Sequence, residues 1–151
     1  MNKRLSNKIA IVTGGARGIG KGIVKSLLIN GAKVIFFDLN EEDGEKTESE
    51  LNVQFDKCVT FFKGSVSSKK DNEKVVNLAI SKYGRLDILC ANAGIYPLTW
   101  IKDITEKEWD EVININLKGP FLLLQSALNH FMQNKYGKVI FTSSITGTIV
   151  S

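Results

Sequence analysis

Strand-length apolar runs alternate with helical patterns along the whole chain, and that alternation limits the possible fold more than any other feature. Lys8 to Thr13 reads as a strand. Arg17 to Asn30 follows as a helix, with Ile19, Ile23 and Leu27 at the i, i+4, i+8 spacing of one face and Gly31 in the usual C-terminal stop position. Lys33 to Asp38, with Val-Ile-Phe-Phe at its centre, has the character of a fully buried strand. Asn40 caps a polar helix running to about Val53, and Glu41, Glu42 and Asp43 suit the positive end of that helix. Lys57 to Lys63 is a third strand, Lys69 to Tyr83 a third helix ended by Gly84, and Asp87 to Cys90 a fourth strand. Thr105-Glu-Lys-Glu108 is a capping box opening the next helix. A break near Gly119-Pro120 separates it from a helical stretch reaching about Asn134, and Tyr136-Gly137 then turns into a fifth strand, Lys138 to Thr142. Strand, helix, strand, helix with short links requires parallel pairing through right-handed crossovers. The prediction is a doubly wound α/β sheet with strands buried on both faces and a ligand beyond their carboxyl ends.

A chain of 151 residues is one domain by size. Its net charge of +4 invites a nucleic-acid reading, but the lysines are scattered among acids, as in Lys69-Lys70-Asp71, with no basic run, finger motif or aromatic RNA-binding strand. The expectation is no nucleic-acid partner and no membrane association. The apolar runs, such as Phe121 to Leu124, are too short to span a bilayer, and Ile9 to Val12 after Lys3, Arg4 and Lys8 is no signal-peptide core. A cytoplasmic location is expected. Cys58 and Cys90 sit in apolar, strand-like contexts without metal-ligand spacing and read as reduced core thiols rather than a disulfide or ligands. His130, the one histidine, lies on a helical pattern and reads as surface or boundary packing.

The first strand runs directly into Thr13-Gly-Gly-Ala-Arg-Gly-Ile-Gly20. Glycines at 14, 18 and 20 allow a tight turn and a close approach of backbone to ligand, and the helix that follows aims free N–H groups and its positive dipole end at that ligand. A pyrophosphate fits those requirements. Gly15 to Lys21 also satisfies the front of a P-loop, and Val34 to Asp38 resembles an apolar strand ending in a magnesium-binding Asp. A P-loop needs Ser or Thr after the lysine to hold magnesium, and this chain has Gly22. Lys21 then reads as a surface lysine, and an NTPase is the remote alternative. Asp38 stands about 20 residues past the glycines, where a carboxylate accepts hydrogen bonds from the adenosine ribose and repels a 2′-phosphate. Arg17 pulls the other way, as a basic group that could meet a 2′-phosphate, or is a solvated loop residue. Asp38 sits nearer the ribose and outweighs it, so NAD is favoured over NADP.

These motifs together resemble those of the short-chain dehydrogenase/reductase family, in its compact single-domain branch. Thr13 to Gly20 fits T-G-x-x-x-G-x-G, Asn92-Ala93-Gly94 fits N-A-G, Asn116 fits the helix asparagine, and Ser143-Ser-Ile-Thr-Gly147 fits the serine motif after the fifth strand, with Ser144 in register with the substrate-binding serine. The resemblance covers essentially the whole chain. It implies a Rossmann-type dinucleotide-binding domain over residues 1–151 whose cofactor contacts are Gly14, Arg17, Gly18, Ile19, Gly20, Asp38, Leu39, Ser65, Val66, Asn92, Ala93 and Gly94. It also implies catalytic roles for Asn116 and Ser144, no metal, a small-molecule alcohol or carbonyl substrate, and a homo-oligomeric full-length protein. The implied reaction is NAD-dependent interconversion of a secondary alcohol and a carbonyl by hydride transfer. A serine hydroxyl such as that of Ser144 would hydrogen-bond the carbonyl oxygen where negative charge develops, the alternative being a plain turn after a strand. Asn116 is a poor mid-helix residue. Pro120, four residues on, has no N–H for the Asn116 carbonyl, which in the family binds a water of the proton relay; the alternative is a kink made for packing.

Two departures stand out. The family usually has Asp-Val after the third strand, the Asp touching the adenine amine, where this chain has Ser65-Val66. The family's general acid is a Tyr followed four residues later by Lys, which lowers the Tyr pKa. Here Tyr83, Tyr96 and Tyr136 are followed at that spacing by Asp87, Trp100 and Ile140. The expectation is therefore a sheet truncated after about five strands, a fragment inactive alone, whose Leu117 to Met132 helix is uncovered on one side so that the isolated chain is marginally stable or aggregates. A non-catalytic nucleotide-binding module is the second reading. Tyr96, Pro97 and Trp100 are expected to form one pocket wall, an apolar lid or plain core.

Overall fold

The computed structural model describes residues 3–144. Five strands, β1 (Ile9–Thr13), β2 (Lys33–Asp38), β3 (Val59–Lys63), β4 (Ile88–Ala91) and β5 (Lys138–Phe141), form one parallel sheet in the order β3-β2-β1-β4-β5. Helices α1 (Gly18–Ile29), α2 (Glu41–Phe55) and α3 (Lys69–Tyr83) make the first crossovers. The last crossover is longer: a 3₁₀ turn (Ile101–Asp103), α4 (Glu106–Ile113), one π-helical turn (Asn114–Lys118) and α5 (Gly119–Asn134). After β3 the chain returns to the other side of β1, so the loops leaving β1 and β4 diverge and open a crevice at the carboxyl edge.

Alternate side chains of the central strands feed two cores. Ile9, Ile11, Ile35, Phe37 and Leu89 pack with Val75, Ala79, Leu123 and Phe131 of α3 and α5. Ala10, Val12, Val34, Phe36 and Cys90 pack with Val24, Leu28 and Leu51 of α1 and α2. The predicted burial on both faces therefore holds for the centre of the sheet. It fails at β5, which is largely exposed because no strand in the described residues pairs its outer side. Cys90 is buried as expected, whereas Cys58 is only half-buried, lying at the lip of β3 with its thiol 3.7 Å from the Asp56 carbonyl; both are free thiols.

The caps follow the sequence closely. Asn40 accepts from Asp43 N at 3.0 Å, Ser68 from Asp71 N and Thr105 from Glu108 N, both at 3.2 Å. The capping box is made on one side only, since the Glu108 carboxylate takes the Thr99 hydroxyl at 2.5 Å. α1 differs from its expected face. Val24 and Leu28 are its buried positions with Gly20, Ile23 and Leu27 are half-buried, and Ile19 is 74% exposed. Gly20 must lie against the turn after β1, and this rotates the buried stripe by one residue. The predicted break at Gly119-Pro120 is a continuous helix that widens: Gly119 N donates to the Asn114 carbonyl five residues back. Pro120 offers the Asn116 carbonyl no hydrogen bond and would crowd it in a regular turn, which is a recognised cause of such widening.

At the opposite edge of the sheet a buried carboxylate paired with two partly exposed cations fixes the start of β4. Asp87 is 1% exposed and accepts from Arg85 Nε at 2.8 Å and Nη2 at 2.5 Å, from Lys8 Nζ at 3.3 Å and from Ile9 N at 2.9 Å. Burial pushes the Asp87 carboxyl up, but the bonds from Arg85, Ile9 N and Lys8 together outweigh it and hold the group below its usual value. His130 completes this edge as a boundary residue, its Nε2 accepting from Leu86 N at 3.0 Å. A carboxyl lowered in the folded state stabilises the fold above its unfolded pKa of about 4, and the contribution is lost as pH falls through the folded value. Asp87→Ala should therefore cost about 2–3 kcal/mol at neutral pH by urea denaturation, since buried bonds to a charge are lost and Ile9 N is left unpaired. The cost should shrink as the pH is taken below about 4; a cost that does not vary with pH would contradict this.

Candidate functional site

The crevice is built from three chain segments locked together at their backbones. β1 ends at Thr13, and Gly14 reverses direction at φ +66°, a conformation that suits glycine, while its N–H donates to the Phe37 carbonyl at 2.8 Å. A Cβ at Gly20 would overlap the Gly14 carbonyl oxygen, so α1 can begin this close to the turn only with glycine there. The positive end of α1 faces the crevice, and the first turn of the helix holds no acidic residue to compete for it.

Thr13 couples this loop to the one after β4. Its buried hydroxyl oxygen accepts from both Asn92 N and Ala93 N, each at 2.9 Å. The Asn92 side-chain amide donates to the Thr13 carbonyl at 3.2 Å, and its Oδ1 accepts from the Thr142 hydroxyl at 3.2 Å, which brings in the end of β5. The loop after β1 is also tied to β2. Asp38 Oδ2 accepts from Ala16 N at 3.0 Å and Oδ1 from Asn40 N at 3.1 Å, and the buried Thr47 hydroxyl donates to the Ala16 carbonyl at 2.7 Å. Two N–H bonds leave a carboxylate with lone pairs to spare, so Asp38 is oriented and still able to accept.

The resulting cleft encloses about 710 Å³. Its walls include Gly14, Arg17, Ile19, Gly20, Asp38, Leu39, Ser65, Val66, Asn92, Ala93 and Gly94. Of the positions read from the sequence as cofactor contacts, Gly18 alone is outside this wall; it opens α1 at φ +54° with open space where a Cβ would stand. The size, the glycine cradle and the single oriented carboxylate fit an adenine dinucleotide better than a bare phosphate. Asn40, Gly64, Ile95, Ile115 and Thr142 also line the cleft and were not apparent from the sequence. Thr142 was legible in principle, as the residue that continues β5 into the carboxyl edge.

Asn116 does not line the cleft; it braces it. Its Oδ1 accepts from Ile95 N at 2.9 Å and its Nδ2 donates to the Ile95 carbonyl at 2.8 Å, a two-point clamp on the loop after Gly94. The π turn sets the helix register that lets this side chain reach a backbone across 21 residues of sequence. Ser144 lies in the segment just past β5, beyond Thr142, and residues 145–151, including Gly147 of the serine motif, are outside the described residues. Lys21 is a surface lysine paired with Glu50 at 2.6 Å, away from the wall of the cleft, and that contact lowers the Glu50 carboxyl. Tyr96 and Trp100, each 78% exposed, form neither a pocket wall nor core, because nothing in the described residues covers the segment after Ile95. Burial pushes the Cys90 thiol up to about 11, so it is a core group and not a nucleophile near neutral pH. Among the described residues no helix is long and apolar enough to cross a membrane, and no cluster of His, Cys, Asp and Glu has the makings of a metal site.

Residues 8–151 match the sequence profile of the family described as short chain dehydrogenase. The chain belongs to the short-chain dehydrogenase family. It is 39% identical over 142 residues to a diacetyl reductase ((S)-acetoin forming) of Staphylococcus epidermidis, covering 93% of this chain and 55% of that protein. It is 34% identical over 147 residues to the L-fucose dehydrogenase of Mus musculus, covering 97% of this chain and 52% of the relative. Among solved structures it superposes on gox2181 with a TM-score of 0.93 at 33% identity, over 99% of this chain and 58% of that one. A short-chain dehydrogenase from Novosphingobium aromaticivorans, described as putative in its own naming, gives 0.91 at 25% identity over 99% and 56%. This short-chain dehydrogenase chain thus spans about half the length of the curated relatives it matches.

The joint at Thr13 gives a direct check on how such a chain holds its cleft. Thr13→Val keeps the shape and strips the acceptor from two backbone N–H groups in a buried setting. It should cost about 2–4 kcal/mol in chemical denaturation, while Thr13→Ser, which keeps the oxygen, should recover most of that. Equal losses in the two variants would show that the hydroxyl is not the joint.

Proposed function

We propose that this chain forms the nucleotide-binding half of an NAD-dependent oxidoreductase that interconverts a secondary alcohol and a carbonyl. The observation carrying the choice of cofactor is the Asp38 carboxylate, held by Ala16 N and Asn40 N at the edge of the cleft beside the glycine turn. A carboxylate so fixed can take both ribose hydroxyls and opposes a 2′-phosphate. Arg17 gives NADP little support: its guanidinium is exposed and lies 3.9 Å from the Asp43 carboxylate, which is a competing partner. Bound NAD would supply the hydride acceptor. The remaining work falls to the protein: Gly14, Gly18, Ile19 and Gly20 cradle the pyrophosphate, Leu39, Ser65 and Val66 flank the adenosine, and Asn92, Ala93 and Gly94 line the far side. Ser144 would hold the substrate oxygen and Asn116 would fix the loop beside the reacting centre.

A non-catalytic reading applies to these 151 residues taken alone, because no Tyr among them is followed four residues later by Lys. The isolated chain should bind the nucleotide without turnover, with catalysis belonging to a longer protein that carries such a pair. The exposed apolar row of Leu117, Phe121, Leu128 and Met132 on the last crossover supports association into a homo-oligomer. A cytoplasmic location and a small alcohol or carbonyl substrate belong to the same proposal.

Calorimetric titration tests the cofactor choice. NAD should bind at least about tenfold more tightly than NADP, and Asp38→Asn should narrow that gap by about the same factor, since a bond to a charged acceptor is worth 1.5–3 kcal/mol. Preference for NADP, or for Mg-ATP over both, would overturn the reading.

A further inference from the structure

We infer, resting on the NAD reading above, that Ser65 and Ser67 form a reversible hydrogen-bond reader that accepts a 6-oxo purine about as readily as a 6-amino purine. With the ribose at Asp38, the base lies one step further from the glycine turn, over the end of β3, where the chain leaves as Gly64-Ser65-Val66. The cleft there meets a second, outer cavity of about 850 Å³, and the residues common to both are Leu39, Ser65 and Ile115. Leu39 and Ile115 supply apolar flanks for a planar base. Ser65 supplies the polar group at its edge.

The backbone of this turn is held from behind. Ser65 N donates to the Asp71 carboxylate at 3.2 Å, Ser68 N to the Ser65 carbonyl at 3.0 Å, and the fully buried Asn72 amide to the Val66 and Ser68 carbonyls at 2.7 and 2.8 Å. The movable elements are the two hydroxyls, which lie 2.8 Å apart with either able to donate to the other. When Ser65 donates to Ser67, its remaining lone pair can accept from a 6-amino group. When Ser67 donates instead, the Ser65 O–H is released to donate to a 6-oxo group. A carboxylate at the same place could only accept, and would reject the oxo base. Asp71 does not fill that role, since it lines neither cavity, and the acidic residues of α4 line only the outer one.

The test compares dissociation constants of this chain for NAD and for nicotinamide hypoxanthine dinucleotide, in the wild type and in Ser65→Asp and Ser65→Ala. The wild type should bind the two within about threefold of each other, while Ser65→Asp should favour NAD by about tenfold or more, the range expected of a hydrogen bond to a charged group. Ser65→Ala, which leaves no reader, should weaken both to a similar extent. NAD binding with tenfold rejection of the hypoxanthine analogue by the wild type, or a Ser65→Asp variant that discriminates no better than wild type, would overturn the inference while leaving the NAD reading intact. Binding of neither dinucleotide would overturn both.

Discussion

Everything at the carboxyl edge depends on the joint between the ends of β1 and β4. These strands are neighbours in the sheet, but their loops leave in opposite directions, and a crevice forms only if both loops are held at their roots. The Thr13 hydroxyl does this by accepting two N–H groups from the β4 loop, and Asn92 reciprocates through its amide. Once that joint is made, Gly14 can turn, Gly20 can press α1 against the turn, and Asp38 can hold the loop from the other side. The second fixed point is at the opposite edge, where buried Asp87 collects Arg85, Lys8 and Ile9 N. β1 and β4 are thus tied at both ends, below by charge and above by neutral hydrogen bonds that leave the field of the α1 N-terminus unopposed.

Much of this was legible in the sequence, because the strands and caps are local signals. The strand runs, the Asn40 and Thr105 ends of their helices and the glycine string depend on residues within a few positions of one another. Asp38 was legible for the same reason, as the last residue of a strand whose partner loop was already identified. What was not legible depends on contacts across the fold. The buried stripe of α1 is rotated from Ile19, Ile23 and Leu27 toward Val24 and Leu28 because Gly20 lies against the Gly14 carbonyl and the Asn92 side chain from the loop after β4, a constraint that periodicity cannot carry.

The last crossover shows the same limit. Pro120 signals a disturbed helix, and a disturbed helix is most simply read as a break. The chain instead inserts one π turn and continues, so that Asn116 faces Ile95 and clamps both its N–H and its carbonyl. The side chain, and not only the carbonyl to which Pro120 cannot donate, is what the position contributes here. The outer side of β5 is an exposed apolar surface that the sequence read as buried, and Tyr96 and Trp100 beyond this clamp, offered by the sequence as pocket wall, lid or core, are exposed too.

The central claim is that the switch point between β1 and β4 is a dinucleotide site. Backbone amide shifts followed by NMR during titration with ADP-ribose test it most directly. The largest changes should fall on residues 14–20, on 38–40, on 64–66 and on 92–94, with Ala16 and Asn40 among them because their N–H groups hold the Asp38 carboxylate. Changes centred instead around Asp87 and His130 at the opposite edge, or none at saturating ligand, would contradict it.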